Sequence, residues 1–259
     1  MAQQRQPEGP PPAPVVQKVR LRYAKRGRLR FSSTRDFQRA LERALRRAQV
    51  PIAFSAGFHP HPRISYANAA STGTASEAEY VELALTHQVE PGALARALDA
   101  ALPPGLDIVA AAEATPGALA DRLQASDWVI ALRGVDALTV GAAVETFLAA
   151  ERIEVSRMFK TGLRTFDARA AVILMRLDTA ESLAVLTEVV APECAILRMV
   201  VRHTTPAVRP DDILTALRAV AGLEPPTPPL VIRLAQGPLQ DDNATVADPL
   251  AAIESVAGA

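Results

Sequence analysis

The order in which hydrophobic periodicity changes along residues 16–114 limits this chain to few folds. Residues 16–31 alternate apolar with basic side chains, which is the pattern of a half-buried strand. Residues 33–50 space apolar side chains as a helix does, behind a capping candidate at Ser33 or Thr34. The following segments predict a strand, a strand, a helix and a strand, at residues 63–69, 79–85, 91–102 and 106–114. The order β-α-β-β-α-β is the signature of a ferredoxin-like unit.

The second half of the chain repeats this order of elements, although the residues themselves do not repeat. It predicts a strand, a helix, two strands, a helix and a strand, at residues 126–134, 136–150, 151–157, 165–179, 180–190 and 193–204. Residues 209–223 predict an extra helix that Pro210 begins, and residues 230–236 predict an edge strand.

These elements define two small domains between two tails. We assign residues 17–116 to ferredoxin-like domain 1 and residues 125–236 to ferredoxin-like domain 2, which carries the extra C-terminal helix. Residues 1–16 are rich in Pro and Gln, and residues 237–259 are mildly acidic, so we expect a disordered N-terminal tail and a flexible C-terminal tail. The predicted fold class is α+β, with tandem ferredoxin-like (βαββαβ) units and disordered N- and C-terminal tails.

Composition excludes several classes of protein. The chain has 259 residues, of which 49% are hydrophobic, as in ordinary globular proteins. The single cysteine, Cys194, excludes an internal disulfide and a multi-cysteine zinc or iron–sulfur site made by this chain alone. The sequence has no apolar run long enough to span a membrane and no apolar signal core at its start. We therefore expect a cytoplasmic protein without a cofactor.

Positive charge is concentrated near the start of the chain. The whole sequence is neutral, with 28 basic and 28 acidic residues. The window from Lys18 to Arg63 contains thirteen basic residues and two acidic ones, Asp36 and Glu42, which gives it a net charge of +11. A neutral protein with one strongly basic region is suited to holding an anionic ligand there, and phosphate-bearing ligands are the first candidates.

The arginines of the first predicted helix follow three- and four-residue spacing, so several of them share one face. Acidic residues are nearly absent from this helix, so ion pairs within it cannot neutralise the arginines. Three interpretations stay open: an anionic partner, which we favour, an acidic surface elsewhere in the chain, or a solvated face. If RNA is the ligand, aromatic side chains should help by stacking. At these spacings, however, we expect each interleaved aromatic residue in the core: Tyr23, Phe31, Phe54, Phe58 and Tyr66.

The segment from Ser55 to Gly73 is the most unusual local sequence, because prolines, histidines and glycines interrupt it. His59 and His61 are two residues apart and share a face if the backbone is extended. We prefer the interpretation that this is a proline-rigid loop whose histidines pack or hydrogen-bond locally. The alternatives are acid–base catalysis by His59 or His61, a metal site that needs further ligands, and a contact to phosphate or base.

A second basic segment, residues 160–170, lies at a predicted hairpin of the second domain. Its residues either extend the first basic region or form a solvated hairpin tip, and the pattern favours neither interpretation. We predict no metal site and no firm catalytic residue, with His59 and His61 as candidates. The candidate residues for binding nucleic acid or another anion are Lys25, Arg26, Arg28, Arg35, Arg39, Arg43, Arg46, Arg63, Lys160 and Arg164.

Several distinctive motifs of the first region occur together. They are a Lys-Arg-Gly turn, a Ser-Ser-Thr-Arg-Asp helix start, an Arg-rich helix, Phe-Ser-Ala-Gly-Phe-His-Pro-His-Pro-Arg-Ile-Ser at residues 54–65, and Gly-Thr-Ala-Ser-Glu-Ala-Glu-Tyr at residues 73–80. With them, residues 17–235 resemble the DUF2344 family, also called radical SAM-linked or radical SAM-associated proteins. The resemblance implies association with a radical SAM protein that has a B12-binding domain. This chain lacks the three-cysteine motif of a radical SAM cluster, so it would supply substrate binding or docking.

Three functional hypotheses follow. The first is an accessory protein that binds RNA or another anionic ligand and acts with a separate radical SAM or RNA-processing enzyme. The second is a metal-independent ribonuclease or RNA-modifying enzyme that uses the loop of His59 and His61. The third is a protein-docking module without a nucleic-acid ligand, whose basic face meets an acidic surface of a radical SAM partner. We favour an accessory binding role over catalysis, and we expect no contact with a membrane.

Overall fold

The computed structural model describes residues 12–179, 194–240 and 244–251. These residues form a mixed α+β structure with four α-helices, divided into two compact units. The first unit contains the described residues up to Gly73 together with Glu77–Asp121, Leu250 and Ala251, and the second contains Thr74–Ser76 and the described residues of Arg122–Pro249. The predicted helix at residues 180–190, most of the predicted N-terminal tail and the end of the predicted C-terminal tail lie outside the described residues.

The first unit is a sheet whose strands are ordered β4-β1-β3-β2, with antiparallel pairing between β1 and β4 and between β2 and β3. Each strand and helix was predicted from the sequence, and only their ends differ. In chain order the elements are β1 (Gln17–Lys25), α1 (Thr34–Arg47), β2 (Ile64–Ala67), β3 (Ala75–Leu85), α2 (Pro91–Ala101) and β4 (Ile108–Glu113).

Helix α1 begins where the sequence predicted, because Ser33 and Asp36 form a capping box. The Ser33 hydroxyl accepts a hydrogen bond from the Asp36 amide at 3.2 Å, and the Asp36 carboxylate accepts one from the Ser33 amide at 3.0 Å. The apolar face of α1 then packs on the sheet, and the rings of Phe37 and Tyr23 stack with their centroids 3.8 Å apart. The core of this unit therefore lies between α1, α2 and one face of the sheet.

The opposite face of this sheet carries a buried ion pair. Along β1, Val19 and Leu21 belong to the helix-side core, so Arg20 lies on the other face, with 1% of its surface exposed. The Arg20 guanidinium donates to the Glu82 carboxylate at 2.9 Å, to the Thr115 hydroxyl at 3.0 Å and to the Gly117 carbonyl at 2.6 Å. These bonds link β1 to β3 and to the segment that follows β4.

The main sheet of the second unit has the order β10-β5-β9-β8, and β6 and β7 form a separate hairpin. Its core lies between this sheet and the helices α3 and α4. In chain order the elements are β5 (Ala125–Arg133), α3 (Ala137–Ala149), β6 (Glu154–Phe159), β7 (Gly162–Asp167), β8 (Val172–Asp178), β9 (Cys194–Arg202), α4 (Pro210–Ala221) and β10 (Leu230–Gly237).

Two sequence predictions for this unit are wrong. Residues 165–179 are not one strand: the Asp167 carboxylate accepts hydrogen bonds from the amides of Ile153 and Arg169, at 3.1 and 2.9 Å, which turns the chain between β7 and β8. Strand β10 is not an edge strand, because it pairs antiparallel with β5 on one side and, at Ile232 and Arg233, parallel with Ala75 and Ser76 of the second unit on the other. The latter pairing makes the β-structure mixed.

Part of the predicted C-terminal tail is folded. Leu239–Gln240 (β11) pairs antiparallel with Thr245–Val246 (β12). Gln124 holds this hairpin to the second unit with two hydrogen bonds. Its side-chain oxygen accepts from the Leu239 backbone amide at 3.1 Å, and its backbone amide donates to the Gly237 carbonyl at 2.9 Å. No helix among residues 12–179, 194–240 and 244–251 is both long and apolar enough to cross a bilayer.

The second unit also contains a buried hydroxyl–imidazole pair. His203 Nδ1 lies 2.6 Å from the Leu123 carbonyl, and a carbonyl only accepts, so this nitrogen carries the proton. The neutral Nε2 then accepts from the Ser126 hydroxyl at 2.7 Å. Ser126 is completely buried, so the pair is a structural contact and not an accessible nucleophile with its base. Burial lowers the pKa of His203, and nearby Arg233 lowers it further against the opposing effect of the Leu123 carbonyl.

Replacing Arg20 tests the buried ion pair. Arg20→Met leaves the Glu82 carboxylate buried with Lys18 as its remaining ion-pair partner, so we expect the free energy of unfolding in urea to fall by roughly 3 kcal/mol. The double variant Arg20→Met/Glu82→Leu removes both buried charges and should recover part of that loss. A single variant as stable as the wild type, or a double variant less stable than the single one, would contradict this account.

His203 should make the second unit sensitive to mild acid. Because the folded-state pKa is lowered, the unfolded chain binds the proton first, so stability is complete above the ordinary histidine pKa of 6.5 and falls as the pH drops through it. We expect the urea midpoint to fall more in the wild type than in His203→Gln between about pH 7.5 and about pH 5.5. Equal changes in both proteins would show that His203 is not responsible.

Candidate nucleic-acid interface

Four arginines of helix α1 form one exposed surface. Arg35, Arg39, Arg43 and Arg46, which we call the α1 basic face, follow helical spacing on the side of α1 away from its buried residues. Within the described part of the chain, none of their guanidinium groups forms an ion pair with a carboxylate. The α1 basic face is therefore a cationic surface without a salt bridge to any described carboxylate.

The acidic residues of the same helix are engaged elsewhere. Hydrogen bonds from the Ser33 hydroxyl and amide hold the pKa of Asp36 below its usual range, so this carboxylate is an ionised part of the helix cap. The Glu42 carboxylate accepts a hydrogen bond from the Gln38 amide at 3.0 Å. The charge of Arg39 also lowers the pKa of Asp36, and Asp36 and Glu42 are the only acidic residues of this helix.

An exposed aromatic residue lies directly before the α1 basic face. Gly27 turns the chain out of β1 with a φ of +51°, and a short 3-10 helix, Gly27–Phe31, follows. This helix exposes Arg28 and leaves 57% of Phe31 accessible, with the Arg30 guanidinium 4.5 Å from the centre of the Phe31 ring. An exposed ring among arginines is an arrangement on which a base can stack.

The prediction that all five interleaved aromatics are core residues is therefore partly wrong. Tyr23 is buried and Tyr66 packs against the core, whereas Phe31, Phe54 and Phe58 are exposed. Phe31 was misassigned because the alternation of β1 extends to it in the sequence, while the strand ends at Lys25.

Two predicted anion-binding residues have their charges engaged inside the first unit. Lys25 is buried, and its ammonium donates to the carbonyls of Ala70 and Ser71, at 3.4 and 3.1 Å. Arg26 forms ion pairs with Glu77 and Asp107. Both charges therefore have partners within the first unit, and the α1 basic face does not include these two residues.

The loop of His59 and His61 is held by its backbone and leaves both imidazoles exposed. The Ser55 amide donates to the His61 carbonyl at 2.8 Å, and the His61 amide donates to the Ser55 hydroxyl at 3.0 Å. No described residue hydrogen-bonds either imidazole ring. The backbone thus orders this loop, without hydrogen bonds between the two imidazole rings and other described residues.

His61 and Arg63 line an open groove with a volume of about 390 Å³, which we call the His61 groove. Its other polar lining residues are Lys18, Ser55, Ser65 and Glu82. Lys18 and Glu82 alternate with strand residues that face the helices, so the groove lies on the sheet face opposite α1 and α2. The α1 basic face and the His61 groove are therefore separate sites on opposite sides of the first unit.

Lys160 and Arg164 lie on the β6–β7 hairpin of the second unit. Lys160 is exposed at the turn, while the Arg164 guanidinium donates to the Thr161 hydroxyl at 2.9 Å and lies 5.3 Å from the centre of the Phe159 ring. Arg157, opposite Arg164 in the hairpin, is ion-paired with Asp212 of α4. This hairpin is a smaller cationic surface. The contact of Arg164 with Phe159 and the ion pair of Arg157 with Asp212 of α4 stabilise it.

In the ranges that the structure describes, no group of three or more His, Cys, Asp and Glu side chains is placed to hold a metal ion. The first unit thus has an arginine-rich helix face on α1, an exposed aromatic residue in the 3-10 helix before it, and a polar groove on the opposite side of the sheet.

Comparison with known proteins identifies the family. The profile of the family described as an uncharacterized protein conserved in bacteria (DUF2344) matches residues 18–210. A search of curated proteins finds no match to this chain. The matched range contains the α1 basic face, the His61 groove and the β6–β7 hairpin, and it covers most of the chain. The chain therefore belongs to the DUF2344 family.

Proposed function

We propose that this protein is a non-catalytic accessory protein that binds RNA on the α1 basic face and presents it to a separate enzyme. The observation that carries the proposal is the set of four exposed arginines on one helix face, none of which forms a salt bridge with a described carboxylate. Arginine is the side chain best suited to phosphate, because its planar guanidinium presents several donors at once. Such a surface is favourable beside a polyanion and costs self-repulsion without one.

Phe31 favours RNA over an acidic protein as the partner. A single-stranded nucleic acid offers both phosphates for the arginines and bases that stack on an exposed ring. With 57% of Phe31 exposed beside Arg28 and Arg30, both kinds of contact are available on one surface. An acidic protein surface would use the arginines but would gain less from the ring.

We further propose that both units are ferredoxin-like, with domain 1 at residues 17–116 and domain 2 at residues 125–236, in a cytoplasmic protein. The strand orders β4-β1-β3-β2 and β10-β5-β9-β8 support this assignment, because each is the same arrangement of four strands along its own unit. In the second unit, α3 and α4 take the positions of the two helices, and the β6–β7 hairpin is an insertion.

The partner enzyme that we propose is a radical SAM protein with a B12-binding domain. Support comes from the resemblance to radical SAM-linked proteins, and from the single cysteine, Cys194, which leaves no three-cysteine cluster motif in this chain. In this arrangement the present protein contributes RNA binding, and the partner contributes the chemistry.

The ribonuclease alternative has weaker support. General acid–base catalysis needs imidazoles that other groups orient toward the reacting atoms. His59 and His61 are both exposed, and no described residue hydrogen-bonds either ring. RNA cleavage without added metal, abolished by His59→Ala/His61→Ala, would be the finding that favours this alternative.

Charge reversal on the α1 basic face tests RNA binding. We expect fluorescence anisotropy to show that the wild type binds a single-stranded RNA with an affinity that falls as salt rises, since phosphate contacts release counterions. Arg39→Glu/Arg43→Glu/Arg46→Glu should weaken binding at least about tenfold and reduce the slope of log affinity against log salt by about 2.

The matched control is Arg96→Glu/Arg152→Glu/Arg218→Glu, which makes the same change in net charge at side chains that are 78%, 67% and 64% exposed. It should bind RNA more tightly than the α1 triple variant. Absence of binding at low salt, binding insensitive to salt, or equal losses in both triple variants would refute the proposed surface.

Phe31→Ala tests the stacking contribution separately. Loss of one stacked base should reduce RNA affinity about tenfold and leave the salt slope unchanged, because no phosphate contact is removed. Phe58→Ala is the matched control, since Phe58 is 62% exposed and lies in the loop of His59 and His61. Equal affinities for wild type and Phe31→Ala would exclude stacking at this position.

A further inference from the structure

The His61 groove has the size and the fixed polar lining of a small-ligand site. Its volume of about 390 Å³ lies within the range in which small-molecule pockets are found. It lies on the opposite sheet face from the α1 basic face, so it is not part of the proposed RNA surface. Its chemistry therefore requires a separate explanation.

Lys18 lines the groove, and its ammonium is held in place by the buried carboxylate of Glu82. The Lys18 ammonium donates to Glu82 at 2.9 Å, and Arg20 donates to the other oxygen of that carboxylate at 2.9 Å. Burial alone would raise the pKa of Glu82. Hydrogen bonds from Lys18 and Arg20 outweigh this effect and lower that pKa, so the carboxylate stays ionised. Lys18 keeps 54% of its side chain exposed, so its remaining donors are available to a ligand.

Arg63 is a second cationic residue that lines the groove. Arg63 is exposed and forms no ion pair with any described carboxylate. Its backbone is fixed on both sides, because its amide donates to the Ala53 carbonyl at 2.8 Å and its carbonyl accepts from the Ala84 amide at 3.0 Å. Arg63, and His61 two residues before it, thus project from an ordered segment.

The residues that line the groove include hydrogen-bond donors suited to an anion and hydrogen-bond acceptors suited to hydroxyl groups. Lys18, Arg63 and the His61 imidazole suit a phosphate group, and the cations outnumber the single carboxylate of Glu82. The Glu82 carboxylate and the Ser65 hydroxyl can accept hydrogen bonds from hydroxyl groups next to that phosphate. A bare inorganic anion would leave these acceptors unused, while a phosphorylated sugar would use both sets.

We propose that the His61 groove binds a phosphorylated sugar, namely the ribose phosphate of a nucleotide, either free or at the end of an RNA. The phosphate lies against Lys18, His61 and Arg63, and the ribose hydroxyls lie toward Glu82 and Ser65. The proposal concerns a site apart from the α1 basic face and holds whether or not that face binds RNA.

Isothermal titration calorimetry of the full chain tests this proposal with adenosine 5′-monophosphate, ribose 5-phosphate and adenosine. We expect the two phosphorylated compounds to bind and adenosine not to bind. Arg63→Ala should weaken binding of adenosine 5′-monophosphate about tenfold or more, because it removes a charged hydrogen-bond donor. An unchanged melting temperature of this variant shows that it is folded, since Arg63 is exposed.

A second arm distinguishes the two sources of the ligand. The affinity of a 5′-phosphorylated trinucleotide is compared with that of adenosine 5′-monophosphate. If the trinucleotide binds more tightly, and Arg63→Ala weakens its binding, the ligand is an RNA end. If adenosine 5′-monophosphate binds more tightly, the ligand is the free nucleotide. Equal binding of adenosine and adenosine 5′-monophosphate, an undiminished affinity in Arg63→Ala, or no binding of either phosphorylated compound overturns the proposal.

Variants on the other face keep the two proposals separate. Arg39→Glu/Arg43→Glu/Arg46→Glu should leave the affinity for adenosine 5′-monophosphate unchanged, because α1 lies on the opposite side of the sheet from the groove. Loss of nucleotide binding in that variant would contradict the assignment of the phosphate to Lys18, His61 and Arg63. RNA binding by the α1 basic face can fail while the groove still binds nucleotide, and the converse also holds.

Discussion

The buried ion pair between Arg20 and Glu82 is the interaction on which the first unit depends. It connects the two central strands β1 and β3, and Arg20 also donates to the segment that follows β4. Side chains alternate along a strand, so a slip of one residue in β1 would move Arg20 into the apolar core under α1. A charged group that can be satisfied on only one face therefore specifies the register of the sheet, in addition to any stability that it contributes.

The basic residues near the start of the chain include two groups that differ in their hydrogen-bond and ion-pair partners. Lys25 and Arg26 are bound by carbonyl and carboxylate groups of the first unit, as Arg20 is. The arginines of the α1 basic face project outward and form no salt bridge with a described carboxylate. The net charge of the window thus overstates the charge that a ligand meets, and accessible basic residues lie on α1, on the 3-10 helix before it and in the His61 groove.

The sequence predicted the elements of the first unit because their hydrophobic periods are clear and their ends carry explicit signals. Helix α1 is one case, since its apolar spacing and the Ser33–Asp36 cap are both local. The break between β7 and β8 was missed because a side chain, Asp167, makes the turn, while the apolar pattern continues across it. The position of β10 was missed because no local pattern states which strands will pair with it.

The candidate site was predictable to a similar degree and for the same reason. The outward face of α1 follows from helical spacing alone, so its arginines were identified correctly as exposed. The burial of Lys25 could not be predicted, because its partners, Ala70 and Ser71, lie about 45 residues away in the sequence. The His61 groove could not be anticipated, since Lys18, Arg63 and Glu82 meet only after the sheet has formed.

The most direct test of RNA binding by the α1 basic face is to map the contact itself. Ultraviolet crosslinking of a short single-stranded RNA to the full chain, followed by peptide mass spectrometry, reports which side chains lie against the bases. The account predicts crosslinks concentrated in residues 27–47, with Phe31 as the main site. Crosslinks distributed over both units, or absent from residues 27–47, would contradict it.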